Sequence, residues 1–484
     1  MTSTVLSVAS EVYPLIKTGG LADVAGALPL AMAARGVAMR TLMPGYPDVI
    51  ARIGAADSVL AIPELFGGSS RILSARVEGL DLLVLDAPHL YARSGGPYVG
   101  ADGQEFPDNW ARFAALSKAG ALVAEGAIEG YRPDVLHAHD WQAALAPVYL
   151  AFSAGARRPK TVLTVHNLAF QGSFPFDVFP RLGLPNAAWS LEGLEYYGSV
   201  GFLKGGLHAA DVVTTVSPTY AEEILTSAGG MGLDGLLHGR GDRLVGIVNG
   251  IDTDIWNPAT DPDIARNYTA RTLKARRANK RALETEFGLA RDDSPILAVV
   301  SRLTWQKGMD VLVGLCDEIV AMGARLVVIG SGDRMIEGGF LAAHARHPGR
   351  IGVRIGYSEV LSHRLQAGAD ALLVPSRFEP CGLTQLYALR YGCIPVVARV
   401  GGLADTVIHA NFAAMAAGVA TGVIFAPVAH DPLREAVAKL IRLYDDPVLW
   451  QAMQKRGMAT DVGWDVSAAR YAALYRDLTG EVSP

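Results

Sequence analysis

Short, nearly continuous runs of Val, Ile, Leu and Ala alternate with longer amphipathic stretches along the chain. A strand buried on both faces reads as such a run, and helices covering the faces read as the stretches between, so the pattern predicts an α/β protein with doubly wound parallel sheets. In the first half the runs fall at 5–9, 38–43, 82–85, 135–138, 162–165 and 212–216. They restart at 296–301, 326–329, 353–355, 371–374 and 394–398. Between the two sets, 261–291 is polar and dense in Arg and Lys, and is expected to form helical connections on the surface. The hinge is placed at 246–252, giving a first domain of 1–245 and a second of 246–457. One string, Gly-Gly-Leu-Ala-Asp, occurs at 19–23 and again at 401–405, each time after a predicted strand and at a predicted helix start. The echo suggests one architecture used twice. Two doubly wound domains facing each other would set the carboxyl ends of both sheets around one cleft, where open α/β sheets bind ligands.

Composition narrows the field. The 484 residues carry 43 Lys and Arg against 48 Asp and Glu, a formal charge of -5, and half are hydrophobic. Large buried cores are expected, disorder is not, and no global basic field exists for nucleic acid. Any cationic chemistry must be local. Three cysteines, Cys316, Cys381 and Cys393, form no paired motif and fit a reducing compartment. The N-terminus has no positive n-region or cleavage signature of a signal peptide. The segment 406–430 lacks charged residues, but Asn411, Gly418, Thr421, Gly422 and Pro427 interrupt it, so a membrane span is not expected. The expectation is a cytoplasmic protein without membrane partners.

Candidate chemistry gathers at the predicted strand ends. Lys17-Thr18-Gly19-Gly20 precedes a helix start, where two glycines allow close backbone approach, free N–H groups point outward and Lys17 adds a full charge. This is a phosphate cradle or an ordinary turn with a solvated lysine. Neither a Walker A loop nor a GxGxxG fingerprint is present. His137 and His139 share one face of a strand, but no third ligand is identifiable, so they are read as core or ligand-facing histidines and no metal site is assigned. Asp140 and His166, at the ends of successive strands, are candidates to grip sugar hydroxyls. In the second half, Arg302 and Lys307 stand five residues apart before a helix, which suits a diphosphate. Glu379 lies in a Pro-bounded turn ahead of Gly382, Leu383 and Thr384, where it meets a neutral hydroxyl-rich group or serves as a cap or ion-pair partner. Cys381 is read as a packing residue.

Together the strings KTGGLADV, HAHDW, TVHN, YYGSVGFLKGG, VNGID, IWNP, SRLTWQKG, IGYSE, PSRFEPCGLTQLYALRYG and GGLADTV, in this order, resemble the bacterial glycogen synthase and plant starch synthase family over essentially the whole chain. The resemblance implies a GT-B fold of two Rossmann-like domains across a deep cleft, with a C-terminal helix, in 458–484, crossing back onto the first domain. It implies transfer of glucose from ADP-glucose to the non-reducing end of an α-1,4-glucan, with glycogen or a maltooligosaccharide as acceptor. Carried over residue by residue, it puts Lys17, Gly19 and Gly20 at the donor phosphates, with Arg302 and Lys307 opposite. Gly356 and Tyr357 would line the nucleoside pocket, Glu379 would bind the transferred glucose, and Cys381, Gly382, Leu383 and Thr384 would add donors nearby. Asp140 and His166 would frame the reaction centre, with Asn249 near the donor. Position 387, where many related retaining transferases carry a second Glu, holds Tyr, as the glycogen synthases do.

With no metal-binding Asp-x-Asp string at the cleft, side-chain cations are expected to replace a divalent metal, and no cofactor beyond the ADP-glucose co-substrate is expected. Two other readings stay open at this point: a nucleotide-sugar epimerase of the same layout, and a non-catalytic glucan-binding protein.

Overall fold

The computed structural model describes residues 3–155 and 158–480. They form two compact units, one running up to Asn249 and joined by the residues from Trp464 on, the other of 250–463. The boundaries fall a few residues beyond those suggested by sequence. Ile247 still belongs to the first unit, its N–H donating to the Thr215 carbonyl and its side chain lying in that unit's core.

In the first unit the parallel strands run in the order Leu244–Gly246, Val212–Thr215, Lys160–Val165, Val135–His139, Ser3–Val8, Val37–Pro44 and Leu80–Asp86. Two antiparallel strands, Ser70–Val77 and Asp57–Ile62, extend the last edge. Most of this extension is exposed or half-buried, so Arg, Asp and Ser interrupt its sequence and it lacks the continuous apolar run that marks the others. A small antiparallel sheet of Ser173–Phe174, Glu195–Tyr196 and Ser199–Gly201 was likewise not anticipated. The helix Trp464–Thr479 completes this unit: Trp464, Ala468, Tyr471 and Tyr475 pack with Val5, Val24, Leu28 and Met32 in one core.

The second unit is a six-stranded parallel sheet in the order Ile351–Ile355, Arg325–Gly330, Ile296–Val300, Ala371–Val374, Ile394–Ala398 and Val423–Phe425. Side chains alternate between two buried faces. Leu297, Val299, Leu326 and Val328 enter one core, whereas Ile296, Ala298, Val327 and Ile329 enter the other. Among the described residues no helix is long and apolar enough to cross a membrane. Both units thus share the Rossmann order, with the chain's direction of winding reversing beside the first strand of each.

Two expectations change here. The segment 261–291 is helical and partly exposed as expected, but Arg276, Asn279, Lys280 and Glu284 on the helix Arg276–Phe287 are buried. Lys280 Nζ pairs with Asp370 Oδ2 at 2.7 Å, and Glu284 Oε1 accepts from Arg325 Nη1 at 2.7 Å. These charges meet buried partners, whereas Arg266, Arg271, Lys274, Arg277 and Arg291 keep a solvated face. The repeated Gly-Gly-Leu-Ala-Asp string also sits at different places in the two windings. It follows the central strand Ser3–Val8 in the first unit, but Ile394–Ala398, two strands away from the centre, in the second. Duplication of architecture is carried by strand order, not by this string.

Candidate active site

Open α/β sheets bind ligands where strand order reverses, and both reversals here are lined by the motifs read from the sequence. In the first unit the strand Ser3–Val8 runs into a loop that returns at Gly20. The return is held by Glu11, a buried carboxylate that accepts from Thr18 Oγ1 at 2.6 Å, from the Thr18 N–H and from the Tyr98 hydroxyl. This clamp presents Lys17, Gly19 and Gly20 at the start of the helix Gly20–Ala33. Gly19 caps that helix with no side-chain hydrogen bond. Lys17 Nζ pairs with Asp23 Oδ1 at 2.7 Å in a partly exposed contact. A Cβ added at Gly19 would meet nothing within 4 Å, and its φ is -155°. The protein's own packing therefore does not demand glycine there.

Strand Val135–His139 delivers Asp140, which opens a short helix from the left-handed region at φ 54°. Asp140 Oδ1 accepts the His166 N–H at 2.6 Å, tying two successive strand ends together. Burial raises the Asp140 carboxyl from 3.8 to about 7, against the opposing pull of the His166 and Asn167 N–H groups. Burial also pushes His137, His139 and His166 down, so all three rings are neutral. His137 is a core histidine: Nδ1 meets the Tyr475 hydroxyl at 2.7 Å and Nε2 meets Thr164 Oγ1 at 2.6 Å. His139 Nδ1 lies 3.0 Å from His166 Nε2. Asn249, at the end of this unit, is buried, and its Oδ1 has no hydrogen-bond partner among the described residues.

The second unit knits four strand-end loops together. Leu303 N–H donates to the Ser331 carbonyl at 2.9 Å, Arg377 N–H donates to the Gln306 carbonyl at 2.8 Å, and Gly402 N–H donates to the Glu379 carbonyl at 3.2 Å. The Arg377 guanidinium grips both oxygens of Asp310 at 2.7 and 2.8 Å. Within this frame Lys307 Nζ meets Glu379 Oε2 at 2.5 Å, and Ser376 Oγ donates to the same oxygen at 2.7 Å. Glu379 is 8 % exposed, so this is a sheltered carboxylate with its charge met from one side. Arg302 is exposed, its Nη2 donating to Gln306 Oε1 at 3.2 Å.

Gly382, in the left-handed region, leads into Leu383, which caps the helix Thr384–Tyr391. Cys381 is buried, as are Cys316 and Cys393, and none of the three is in a disulfide. Gly401 and Gly402 pack hard against this loop: Cβ atoms there would lie 2.1 Å from the Glu379 carbonyl and 2.3 Å from that of Cys381. Gly356 and Tyr357 follow the edge strand Ile351–Ile355. Gly356 N–H donates to the Gly330 carbonyl at 2.9 Å, and Tyr357 is 65 % exposed.

The geometry thus joins Asp140 with His166, and Lys307 with Glu379 and the 381–384 turn. Sequence reading passed over the Glu11–Tyr98 clamp and Ser376, and it named His139 without its partner His166. Glu11 and His139 meet partners distant in sequence, Tyr98 and His166, whereas Ser376 lies three residues from Glu379 inside a quoted string, where nothing in the pattern marks it as a donor.

Residues 4–239 match the family model described as the starch synthase catalytic domain, and 281–456 match that of the glycosyl transferases group 1. A glycogen synthase of Mesorhizobium japonicum is 60 % identical over 98 % of this chain and 98 % of its own. One of Rhodopseudomonas palustris is 58 % identical over 99 % of each. Among solved structures, the catalytic domain of starch synthase IV from Arabidopsis thaliana bound to ADP and acarbose is similar at a TM-score of 0.88 and 30 % identity. That likeness covers 99 % of this chain and 100 % of that one.

Proposed function

The chain belongs to the glycogen and starch synthase family, with its GT-B architecture of two Rossmann-like units, and on that premise we propose the following reaction. Glucose passes from ADP-glucose to the non-reducing end of an α-1,4-glucan, with retention of configuration, and elongates glycogen or a maltooligosaccharide. Breaking the anomeric C–O bond leaves positive charge on the sugar and adds negative charge to the departing ADP. Arg302, Lys307 and Lys17 stabilise that growing negative charge, and one preorganised donor of this kind contributes roughly 3 to 4 kcal/mol. Side-chain cations take the place of a divalent metal, and no cofactor is invoked. The uncapped N–H groups at Gly19 and Gly20, and those of the 382–384 turn, add fixed partial charges. Tyr357 stacks on the base, with Gly356 allowing the turn, and Asn249 offers a buried acceptor to a donor hydroxyl.

The observation that carries this reading is Glu379, with Lys307 and Ser376 both on Oε2. A carboxylate held this way is a poor nucleophile, and its Oε1 is left to order neutral sugar hydroxyls. We therefore favour a front-face path in which the leaving phosphate helps take the acceptor's proton. Asp140 and His166 frame the transferred sugar.

The test is incorporation of labelled glucose into glycogen, with initial rates compared for ADP-glucose and UDP-glucose. Incorporation from ADP-glucose at the higher rate is expected. A sugar epimerised without any acceptor, or glycogen binding with no ADP release, would replace this reading with an isomerase or a binding protein. A covalent glucosyl-enzyme trapped on Glu379 or Asp140 would overturn the front-face path alone.

A further inference from the structure

His139 plays no part in the reaction as described, yet it is completely buried, and its Nε2 has no hydrogen-bond partner among the described residues. Its Nδ1 lies 3.0 Å from His166 Nε2, so the two rings share one proton along that line. Both rings are kept neutral by burial, so each carries a single N–H. Only two arrangements are possible. If His166 donated from Nε2, His139 would carry its own proton on Nε2, a buried N–H with nothing to receive it. If His139 donates from Nδ1, its Nε2 is a bare lone pair. A buried orphan donor is rarer in proteins than an under-used acceptor, so the second arrangement holds.

The geometry points to His139 as a positioning residue: by donating Nδ1–H to His166 Nε2 it holds His166 as the Nδ1–H tautomer. His166 then shows the ligand a hydrogen-bond donor and cannot act as a base from either nitrogen. His139 itself is braced by the His137 ring, with centroids 4.2 Å apart. His137 is pinned in turn between Tyr475 and Thr164, and Thr164 Oγ1 lies 2.6 Å from Thr214 Oγ1. The other titratable groups around the pair are Asp140, Tyr220, whose hydroxyl accepts the Leu168 N–H at 3.0 Å, and Glu11, which acts on Asp140 through its charge.

The effect on turnover rests on the proposed glucosyl transfer, whereas the tautomer does not, and the two can be read separately. In the full-length protein labelled with 15N-histidine and free of substrate, long-range proton–nitrogen correlation should show His166 protonated at Nδ1 and bare at Nε2. Protonation at Nε2 overturns the proposal whatever the activity. Among variants, His139→Asn keeps an amide nitrogen near the Nδ1 position and should retain at least about a third of kcat. His139→Leu, which removes the donor, should lower kcat by at least about tenfold with little change in the donor KM, since a mis-set imidazole tautomer can cost far more than that. His139→Leu should also add an acid limb to the kcat profile, placed below the ordinary histidine range because burial still holds His166 down, as its Nε2 becomes free to take a proton. Folding is checked by thermal unfolding and by the His137 resonances. Equal loss of kcat in two folded variants would mean that His139 serves packing alone.

Discussion

At the scale of single residues, Asp140 and Glu379 are two sheltered carboxylates with opposite surroundings. Glu379 has Lys307 at 2.5 Å; Asp140 has only N–H groups and a carboxyl raised to about 7. Between about pH 4 and 7 the folded protein keeps the Asp140 proton that the unfolded chain has already released, so this group's contribution to stability falls as pH rises through that window. Asp140→Asn, which suits the left-handed backbone and can still accept the His166 N–H, should be more stable than the parent near pH 8. Its advantage should grow between about pH 4 and 7, reach a few kcal/mol, and then level off, as read by denaturant titration at several pH values. Its turnover should fall at the same time. For Lys307→Gln we expect kcat to drop about 10²- to 10³-fold, measured as label incorporation, because a cation aimed at the departing phosphate is lost. A Lys307→Gln enzyme at wild-type turnover would remove Lys307 from the site. The residue types and the strand-end positions of these groups were legible in the sequence. Their pairing was not, since Glu379 and Lys307 meet only when two strands, with helices between them, are laid side by side.

At the scale of elements, the two copies of Gly-Gly-Leu-Ala-Asp separate what glycine does for a fold from what it does for a ligand. Gly401 has φ 41° and would press a Cβ to 2.1 Å from the Glu379 carbonyl, whereas Gly19 is extended, with open space above it. Gly401→Ala should therefore destabilise the second unit and displace Glu379. Gly19→Ala should melt like the parent while raising the KM for ADP-glucose, because the added methyl occupies the approach to the helix N-terminus. Equal donor KM in Gly19→Ala and the parent would argue that no phosphate sits there. Gly308 is the harder case: φ 68° and a Cβ at 1.9 Å from the Pro375 carbonyl make alanine incompatible with the turn that carries Lys307. The sequence set all three at predicted helix starts and could not rank them, because the atoms a Cβ would meet at Gly401 and Gly308 come from other loops.

At the scale of the whole molecule, each apolar run read from the sequence became a strand, because strands covered on both faces leave no polar alternation to blur the signal. The partly exposed strands at 57–62 and 70–77, and the buried cations of 261–291, were hidden for the converse reason: local pattern reports exposure, and partners far along the chain had changed it. The C-terminal helix Trp464–Thr479 carries the largest consequence. Truncation after Gly463 should uncover Val24, Leu28 and Met32 and leave His137 Nδ1 without Tyr475, forfeiting about 2 kcal/mol or more for each buried aromatic lost. The truncated protein is expected to bind a hydrophobic dye and lose cooperative melting; melting within a few degrees of the parent would show the helix to be dispensable. The same feature constrains birth on the ribosome. A nascent chain grows at ~5 to 20 residues per second, so the first unit, though made first, waits tens of seconds with an apolar face uncovered until its last helix emerges. The opening half of this protein is the last to be finished, and a chaperone that shields that face during synthesis would have its work set by the length of the second unit.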